Sequence, residues 1–211
     1  MLDPGMEKSF AERFAVVRSL SPESLVTEDE KLRLTLQDAG NGSLFTFQDK
    51  TYAVKDTARY EETSEDFKTR QRYFLTELTC LCMETGETAY FEWEFDDELE
   101  ITLTDERISF RLLSDEAGES IDGDDLDQIA DDQDVILYQG EKFWYEDDWA
   151  AVYQARNREE KVFVYEFENE AGSRFLTIEE WQGSGKEEYQ IYTSRPVPPA
   201  QIRLISKGEK S

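Results

Sequence analysis

The chain has 211 residues and a formal charge of −26, from 23 basic and 49 acidic residues. It contains no histidine, which excludes Ser-His-Asp and Cys-His catalytic groups and zinc sites that use histidine. The acidity argues against direct binding of nucleic acid or anionic lipid, since both require clustered Lys and Arg. The aromatic share of 13% indicates a folded protein rather than a disordered acidic chain.

The cellular location follows from what the sequence lacks. No apolar run approaches the roughly 20 residues of a membrane helix. Residues 1–10 carry no basic region followed by an apolar region, so they do not resemble a signal peptide. We therefore expect a cytoplasmic protein that does not insert into membranes, and the sequence leaves its oligomeric state open.

An N-terminal helical segment is expected over residues 1–30. Apolar residues at spacings of four, three and three predict one helical stripe between Glu7 and Leu20, formed by Phe10, Phe14, Val17 and Leu20. From about residue 31 the pattern changes to alternating apolar and polar residues. This alternation predicts β-strands, the first of them at Leu32–Leu36.

A first β unit is expected over residues 31–113, and its central hairpin has a predicted register. A turn at Glu84–Glu87 would pair Leu78 with Trp93 and Cys80 with Phe91. The apolar side chains then share one face. A slip of one residue would turn all of them to the solvent side, so the register should be well specified. The sequence therefore predicts a buried apolar face and an acidic outer face.

Three carboxylates would lie side by side on that outer face: Glu77, Glu94 and Glu100. Like charges directly opposed on a sheet are destabilising. Bound Ca²⁺ or Mg²⁺ would relieve the repulsion, since hard cations take oxygen ligands. Alternatively one carboxylate has a raised pKa and acts as an acid or base, or the row is a solvated face screened by salt. No other cofactor is indicated.

The second half of the chain echoes the first. Residues 114–134 are dense in Asp and Glu and are expected to form an acidic linker with a short helical turn at Leu126–Ala130, followed by a second β unit over 135–205 and a loose tail over 206–211. Similar motifs recur in the same order at a spacing of roughly 85–92 residues. The predicted fold is mainly β: an N-terminal helix, then two similar antiparallel meander or half-barrel units of about five strands each.

Four aromatic residues of the second unit are candidates for binding a partner: Trp144, Tyr145, Trp149 and Tyr153. Trp144 and Tyr145 are neighbours, so a strand would place them on opposite faces. One face would belong to the core, and the other would offer Trp or Tyr, which are favoured anchors of protein interfaces. A purely structural role for all four is the alternative.

Several aromatic strand motifs resemble a known family. Phe143-Trp144-Tyr145, Ala151-Val152-Tyr153 and Ile178-Glu179-Glu180-Trp181 are similar to an uncharacterised prokaryotic family, domain of unknown function 4178. Phe91-Glu92-Trp93-Glu94 resembles a looser second copy, which implies two tandem copies. The resemblance implies a β-rich prokaryotic protein and carries over no catalytic residues.

Three functions remain open at this stage. The first is a non-enzymatic interaction module with a strongly acidic surface and a protein partner. The second is a polyanion mimic that occupies the nucleic-acid site of a basic protein. The third is a hydrolase that uses the predicted carboxylate row with a metal ion. The first is favoured, and catalytic activity is not expected, because no convergent set of catalytic residues is evident.

Overall fold

The computed structural model describes residues 4–156, 158–183 and 187–209, and β-strands are their dominant secondary structure. The sequence correctly predicts a mainly β fold with an N-terminal helix. The helices and strands in chain order are α1 (Pro4–Ser19), β1 (Leu44–Phe47), β2 (Lys50–Thr63), β3 (Arg70–Cys82), β4 (Thr88–Phe95), β5 (Leu99–Ile108), β6 (Leu113–Ser114), α2 (Leu126–Asp132), β7 (Val135–Tyr138), β8 (Glu141–Ala155), β9 (Arg158–Asn169), β10 (Phe175–Gln182), β11 (Glu187–Pro196) and β12 (Arg203–Ser206).

The strand predicted at Leu32–Leu36 is wrong. Leu36 instead begins a short 3₁₀ helix, Leu36–Asp38, which the Asp38 carboxylate caps by accepting a 3.1 Å hydrogen bond from the backbone N–H of Thr35. Leu36 is buried, but Leu32 is 87% exposed. Alternating leucines therefore do not form a strand here, because a local cap satisfies the backbone groups that a strand would pair.

All twelve strands belong to one sheet, in the order β12-β1-β2-β3-β4-β5-β11-β10-β9-β8-β7-β6. Strand β2 also pairs with β8, so eight strands form a closed cycle of hydrogen-bonded neighbours. The prediction of two consecutive half-barrel units is therefore wrong. The reason is that β5, in the first half of the chain, pairs with β11 instead of ending a unit, and hairpin patterns reveal only pairings that are local in sequence.

The chain divides into two compact units whose boundaries differ from those predicted. Unit 1 comprises Met1–Ala58, Thr76–Ile101 and Val197–Ser211, and unit 2 comprises Arg59–Leu75 and Thr102–Pro196. The chain therefore enters each unit more than once. The predicted boundaries at 113 and 135 assume instead that each unit is continuous in sequence.

The core of unit 1 is built on aromatic rings that meet edge to face. The ring of Phe91 lies 5.1 Å from that of Phe45 and 5.0 Å from that of Tyr52. This geometry is favourable because the positive edge of one ring approaches the negative face of the other. All three side chains are buried. For Phe91, this agrees with the predicted buried apolar face of the hairpin.

Helix α1 and the residue that follows it contact the core of unit 1 through Val16 and Leu20, of which only Leu20 belongs to the predicted stripe. Val16 and Leu20 contact the buried cluster that contains Leu81, and the Arg13 guanidinium donates 3.2 Å hydrogen bonds to two backbone carbonyls, of Met83 and Glu84. The other three residues of the predicted stripe lie outward: Phe10, Phe14 and Val17 are all more than half exposed. Two apolar stripes compete on this helix, and spacing alone does not identify the buried one.

The register of the β3–β4 hairpin differs by two residues from the prediction. Leu78 pairs with Phe91 and Cys80 with Ala89. The turn has the expected length but begins one residue earlier, since Cys82 pairs with Glu87 and the Gly86 N–H donates a 2.8 Å hydrogen bond to the carbonyl of Cys82. A shift by two residues keeps each side chain on its predicted face but changes its partner across the strands.

Replacing Gly86 by alanine is expected to lower the free energy of unfolding by about 2 kcal/mol, as urea denaturation would measure. Gly86 has a φ of 78°, and an added Cβ would lie 2.0 Å from the Ser9 hydroxyl. Gly42→Ala is the matched control, because Gly42 has a similar φ of 85° and nothing within 4 Å of the added Cβ. Equal losses in the two variants would contradict a role for the contact with Ser9.

The predicted acidic linker is a packed part of unit 2. Helix α2 lies within it, and its Leu126 and Ile129 side chains are buried in a cluster with Ile136, Phe143 and Phe167. The acidic residues around them remain at the surface. Helix α2 contains the predicted helical turn at Leu126–Ala130, and its two apolar residues, three positions apart, attach the segment to the core, which the density of Asp and Glu did not indicate.

The predicted loose tail is ordered by hydrogen bonds as far as residue 209. The Gly208 N–H donates a 2.8 Å hydrogen bond to the Ser43 hydroxyl, and the Glu209 N–H donates one of the same length to the Asn41 carbonyl. Residues 210–211 lie outside the described part of the chain. Hydrogen bonds therefore connect the predicted tail to Asn41 and Ser43 as far as residue 209.

Candidate functional site

The predicted carboxylate row has a different arrangement in the structure. Glu77 pairs with Glu92 across the strands, not with Glu94, because of the two-residue shift of the hairpin. Within the described residues, no three Asp, Glu or Cys side chains come together in a way that could hold a metal ion. The geometry therefore gives no support to a Ca²⁺ or Mg²⁺ site at Glu77, Glu94 and Glu100.

One carboxylate of the row is nevertheless unusual. Burial raises the pKa of Glu94 to about 7, and the negative charges of Glu100 and Asp96 contribute to the rise. Removing a carboxylate from water disfavours its charged form, and nearby like charges act in the same direction. This carboxyl group therefore changes its charge near neutral pH.

The four aromatic residues predicted to bind a partner lie along β8 in two different surroundings. Trp149 and Tyr153 pack against a buried cluster that contains Tyr60 and Trp181. The rings of Tyr60 and Tyr153 are 4.9 Å apart, and those of Tyr153 and Trp181 are 5.0 Å apart. The Trp149 indole N–H also donates a 3.1 Å hydrogen bond to Glu166. These two aromatic residues are therefore largely committed to packing.

Trp144 and Tyr145 differ from each other, as alternation along a strand requires. Tyr145 packs edge to face on Phe167, with a centroid distance of 6.0 Å, and its hydroxyl donates a hydrogen bond to Asp148. Trp144 instead lines an open cavity of about 400 Å³. Among the four predicted residues, Trp144 is therefore the candidate that lines a cavity of unit 2.

The cavity beside Trp144 lies at one end of the β8–β9 hairpin. Glu168 on β9 is directly opposite Trp144 on β8. The register shifts between Tyr145 and Asp147, so Glu146 is the extra residue of a β-bulge. The full lining is Trp144, Glu146, Glu168, Asn169, Glu170, Ala171 and Gly172. One tryptophan and three carboxylates thus surround a solvent-filled space.

A hydrogen-bonded turn fixes the far wall of the cavity. The buried Asn169 side chain accepts hydrogen bonds from the backbone N–H groups of Ser173, at 2.9 Å, and Arg174, at 3.1 Å. Its amide nitrogen donates to Glu141 at 2.7 Å. Gly172 in this turn has a φ of 63°, and an added Cβ there would lie 2.8 Å from a Glu168 carboxylate oxygen. The turn therefore holds its shape without a bound partner.

The acidic segment, defined here as residues 115–148, carries much of the protein's charge. Its 34 residues include 14 Asp or Glu and one Lys, a net charge of −13 and half of the −26 of the whole chain. Eleven of these carboxylate side chains are exposed: Glu116, Glu119, Asp122, Asp124, Asp125, Asp127, Asp131, Asp132, Asp134, Glu146 and Asp147. Half of the net charge thus lies in one segment of unit 2, and Glu146 of this segment also lines the Trp144 cavity.

The most enclosed carboxylate of unit 2 was not identified from the sequence. Glu179 on β10 is 3% exposed and accepts three hydrogen bonds, from the Tyr60 hydroxyl at 2.8 Å, the Trp181 indole N–H at 3.0 Å and the Tyr192 hydroxyl at 3.1 Å. Burial raises the pKa of Glu179, and these hydrogen bonds and the charge of Arg107 oppose the rise. The signal available in the sequence was the spacing of Glu179 and Trp181, because two residues that are two positions apart on a strand lie on the same face.

The strand topology and the acidic, tryptophan-bearing surface define a mainly β protein with a candidate binding surface. The chain belongs to the family described as Domain of unknown function (DUF4178), whose model matches residues 40–199. This one match extends over parts of both predicted β units, so it does not show the two tandem copies that the motifs suggested.

The other comparisons add no relatives. No curated protein and no solved structure gives a significant match to the chain. Among the described residues, no helix has both the length and the apolar composition needed to cross a membrane.

Proposed function

We propose that the protein is a non-enzymatic interaction module that binds a positively charged protein through the acidic segment of unit 2. The observation that carries the proposal is the uneven charge: half of the net charge lies in 34 of 211 residues, and eleven of the carboxylates are exposed. Concentrated charge of one sign accelerates encounter with a partner of opposite sign and orients it.

The acidic segment is held in a defined shape, which favours recognition over diffuse attraction. Leu126 and Ile129 anchor α2 to the core of unit 2, and the Asp122 side chain accepts a 3.0 Å hydrogen bond from the Asp124 N–H just before the helix. A surface that is already ordered loses less conformational entropy on binding than a flexible acidic tail would. The carboxylates can therefore present a fixed pattern to a partner.

The partner would bind to side chains, not to a free edge of the sheet. At one edge, the Val26 N–H donates a 2.9 Å hydrogen bond to the Ile205 carbonyl of β12. At the other, Ser114 of β6 forms a bridge with Ser120. Both terminal strands are short and already have a neighbour on the outer side, an arrangement that blocks the addition of a further strand.

The polyanion mimic is a special case of this proposal, in which the partner is a nucleic-acid-binding protein. The same uneven charge supports it, since such proteins carry clustered Lys and Arg to neutralise phosphates. In that case, excess DNA would compete with this protein for its partner. A partner that binds this protein equally well with and without excess DNA would point to the general interaction module.

The test uses an eight-residue arginine peptide and isothermal titration calorimetry at low salt. Neutralising three exposed carboxylates together, by Asp124→Asn, Asp131→Asn and Asp134→Asn, is expected to weaken binding about fivefold or more, since each exposed charge contributes roughly 0.2–1 kcal/mol. The control changes three exposed carboxylates outside the segment, by Glu65→Gln, Asp97→Asn and Glu98→Gln, for the same change in net charge.

The two triple variants separate a localised surface from diffuse attraction. A loss confined to the variant of the acidic segment supports the proposal. Equal losses in both variants would mean that the peptide responds only to total charge, and the proposal would then be abandoned.

A further inference from the structure

We propose that the cavity beside Trp144 binds the guanidinium group of an arginine side chain supplied by the partner; the inference rests on the function proposed above and names the chemistry of one contact. The cavity is open, has a volume of about 400 Å³ and is lined by one tryptophan and three glutamates. An aromatic face next to carboxylates suits a cation that is flat and can donate several hydrogen bonds.

The strand register places the two essential groups next to each other. Trp144 and Glu168 are directly opposite on β8 and β9, and the Cβ atoms of such pairs are about 4.5–5.5 Å apart. A group stacked on the indole ring therefore lies beside the Glu168 carboxylate. Glu146 and Glu170, which also line the cavity, supply acceptors for the remaining N–H groups of a guanidinium.

Unit 2 itself contains arginines in this kind of setting. The Arg174 guanidinium carbon lies 5.7 Å from the centre of the Phe143 ring, and the same side chain forms an ion pair with Glu141. The Arg158 guanidinium carbon lies 5.6 Å from the centre of the Trp181 ring, and Arg158 pairs with Glu160. Unit 2 thus places an arginine near both an aromatic ring and a carboxylate in two positions. Trp144 and Glu168 form a third pair of ring and carboxylate, and this pair lies beside an open space.

The walls of the cavity are fixed before a ligand arrives. The Asn169 turn is closed by side-chain and backbone hydrogen bonds, and glycine at position 172 leaves space for the Glu168 carboxylate. A site whose groups are already in place binds more tightly than one that must first be ordered.

Arginine fits this cavity better than lysine does. The guanidinium is planar, stacks on aromatic faces and has five N–H donors in a fixed fork, whereas an ammonium is a compact and strongly hydrated point charge. The acceptors are distributed around the tryptophan and not gathered at one point. The flat cation can therefore stack on the ring and donate to more than one carboxylate.

The test titrates the full chain with N-acetyl-arginine methylamide and follows the indole N–H signal of Trp144 by NMR, assigned with Trp144→Phe. The probe is expected to shift this signal and to saturate at millimolar concentration, as expected for one exposed charged contact. The citrulline analogue, which has the same shape but no charge, should not shift it. The lysine analogue should bind several-fold more weakly than the arginine probe.

Glu168→Gln is expected to weaken binding of the arginine probe, measured on the Trp144 signal, at least about threefold, and Glu65→Gln is the control because Glu65 is an exposed carboxylate of the same unit outside the cavity. Equal binding of the arginine and citrulline probes, or equal losses in Glu168→Gln and Glu65→Gln, would overturn the inference.

The octa-arginine titration separates the two proposals. The triple variant of the acidic segment could still lose affinity for octa-arginine while N-acetyl-arginine methylamide causes no shift of the Trp144 signal. In that case the cavity inference fails and the proposed function stands.

Discussion

Glu179→Ala is expected to lower the free energy of unfolding by about 3–5 kcal/mol, because several buried hydrogen-bond donors lose one acceptor together. Three buried donors, from Tyr60, Trp181 and Tyr192, would lose the acceptor that they share. Each buried donor without an acceptor costs roughly 1–3 kcal/mol, although the losses do not add fully. Urea denaturation followed by far-UV circular dichroism measures the change.

Two conservative variants show whether hydrogen bonding is the cause. Tyr60→Phe removes one hydroxyl and is expected to cost about 1–2 kcal/mol, because Glu179 keeps its other two donors. Glu179→Gln keeps the volume of the side chain and one carbonyl acceptor, so it should cost less than Glu179→Ala. If the alanine variant lost no more stability than the exposed control Glu65→Ala, the network would not hold unit 2 together.

This network shows where prediction from the sequence reaches its limit. Tyr60 and Glu179 are 119 positions apart, and the contact depends on β2 lying in the same closed cycle of strands as β10. Hairpin patterns identify pairs that are adjacent along the chain, but a cycle is closed by pairs that are distant in sequence. Local spacing shows only that Glu179 and Trp181 share one face of β10, so it could not identify Tyr60 as a further donor to Glu179.

The parts of the fold that were predicted correctly depend on local signals. The β3–β4 hairpin has apolar residues alternating on both strands, so the prediction assigned Leu78, Cys80 and Phe91 to one buried face. The exact partner across the strands depends on the turn. The turn has the predicted length but lies one residue earlier, closed by the hydrogen bond from the Gly86 N–H, and this shifts the pairing by two residues.

The candidate site also has features that local sequence patterns predict and features that they do not. Alternation along β8 was enough to predict that Trp144 and Tyr145 lie on opposite faces. It could not show which of them lines a cavity, because that depends on the bulge at Glu146 and on the turn around Asn169. The acidic residues were visible in the sequence, but their attachment to the core through Leu126 and Ile129 was not.

The stability of the protein is expected to fall as the pH rises from about 5 to 8, and Glu94 is one specific cause. In the unfolded chain this carboxyl group has a pKa of 4.5, and in the folded protein burial and the charges of Glu100 and Asp96 raise the pKa to about 7. The folded state therefore holds a proton that the unfolded state has released, so stabilisation is greatest below pH 4.5 and is lost as the pH passes through 7.

Glu94→Gln is expected to remove this part of the pH dependence. One pKa unit corresponds to about 1.4 kcal/mol, but Glu94 is only half-buried, so solvent screening reduces the effect to about 1–2 kcal/mol between pH 5.5 and pH 8. Because glutamine resembles the neutral carboxyl group, the variant should gain stability over the wild type as the pH rises. Urea denaturation at several pH values measures the difference in unfolding free energy.

Comparing the variant with the wild type at each pH isolates Glu94, since all other titrating groups, including Glu179, are common to both proteins. Glu98→Gln is the matched control, because Glu98 is an exposed carboxylate of the same unit four positions away in sequence. A difference between Glu94→Gln and wild type that stays constant from pH 5.5 to pH 8 would show that Glu94 ionises as an ordinary surface carboxylate. A difference that grows with pH only in Glu94→Gln would trace the loss of stability to burial of this one charge.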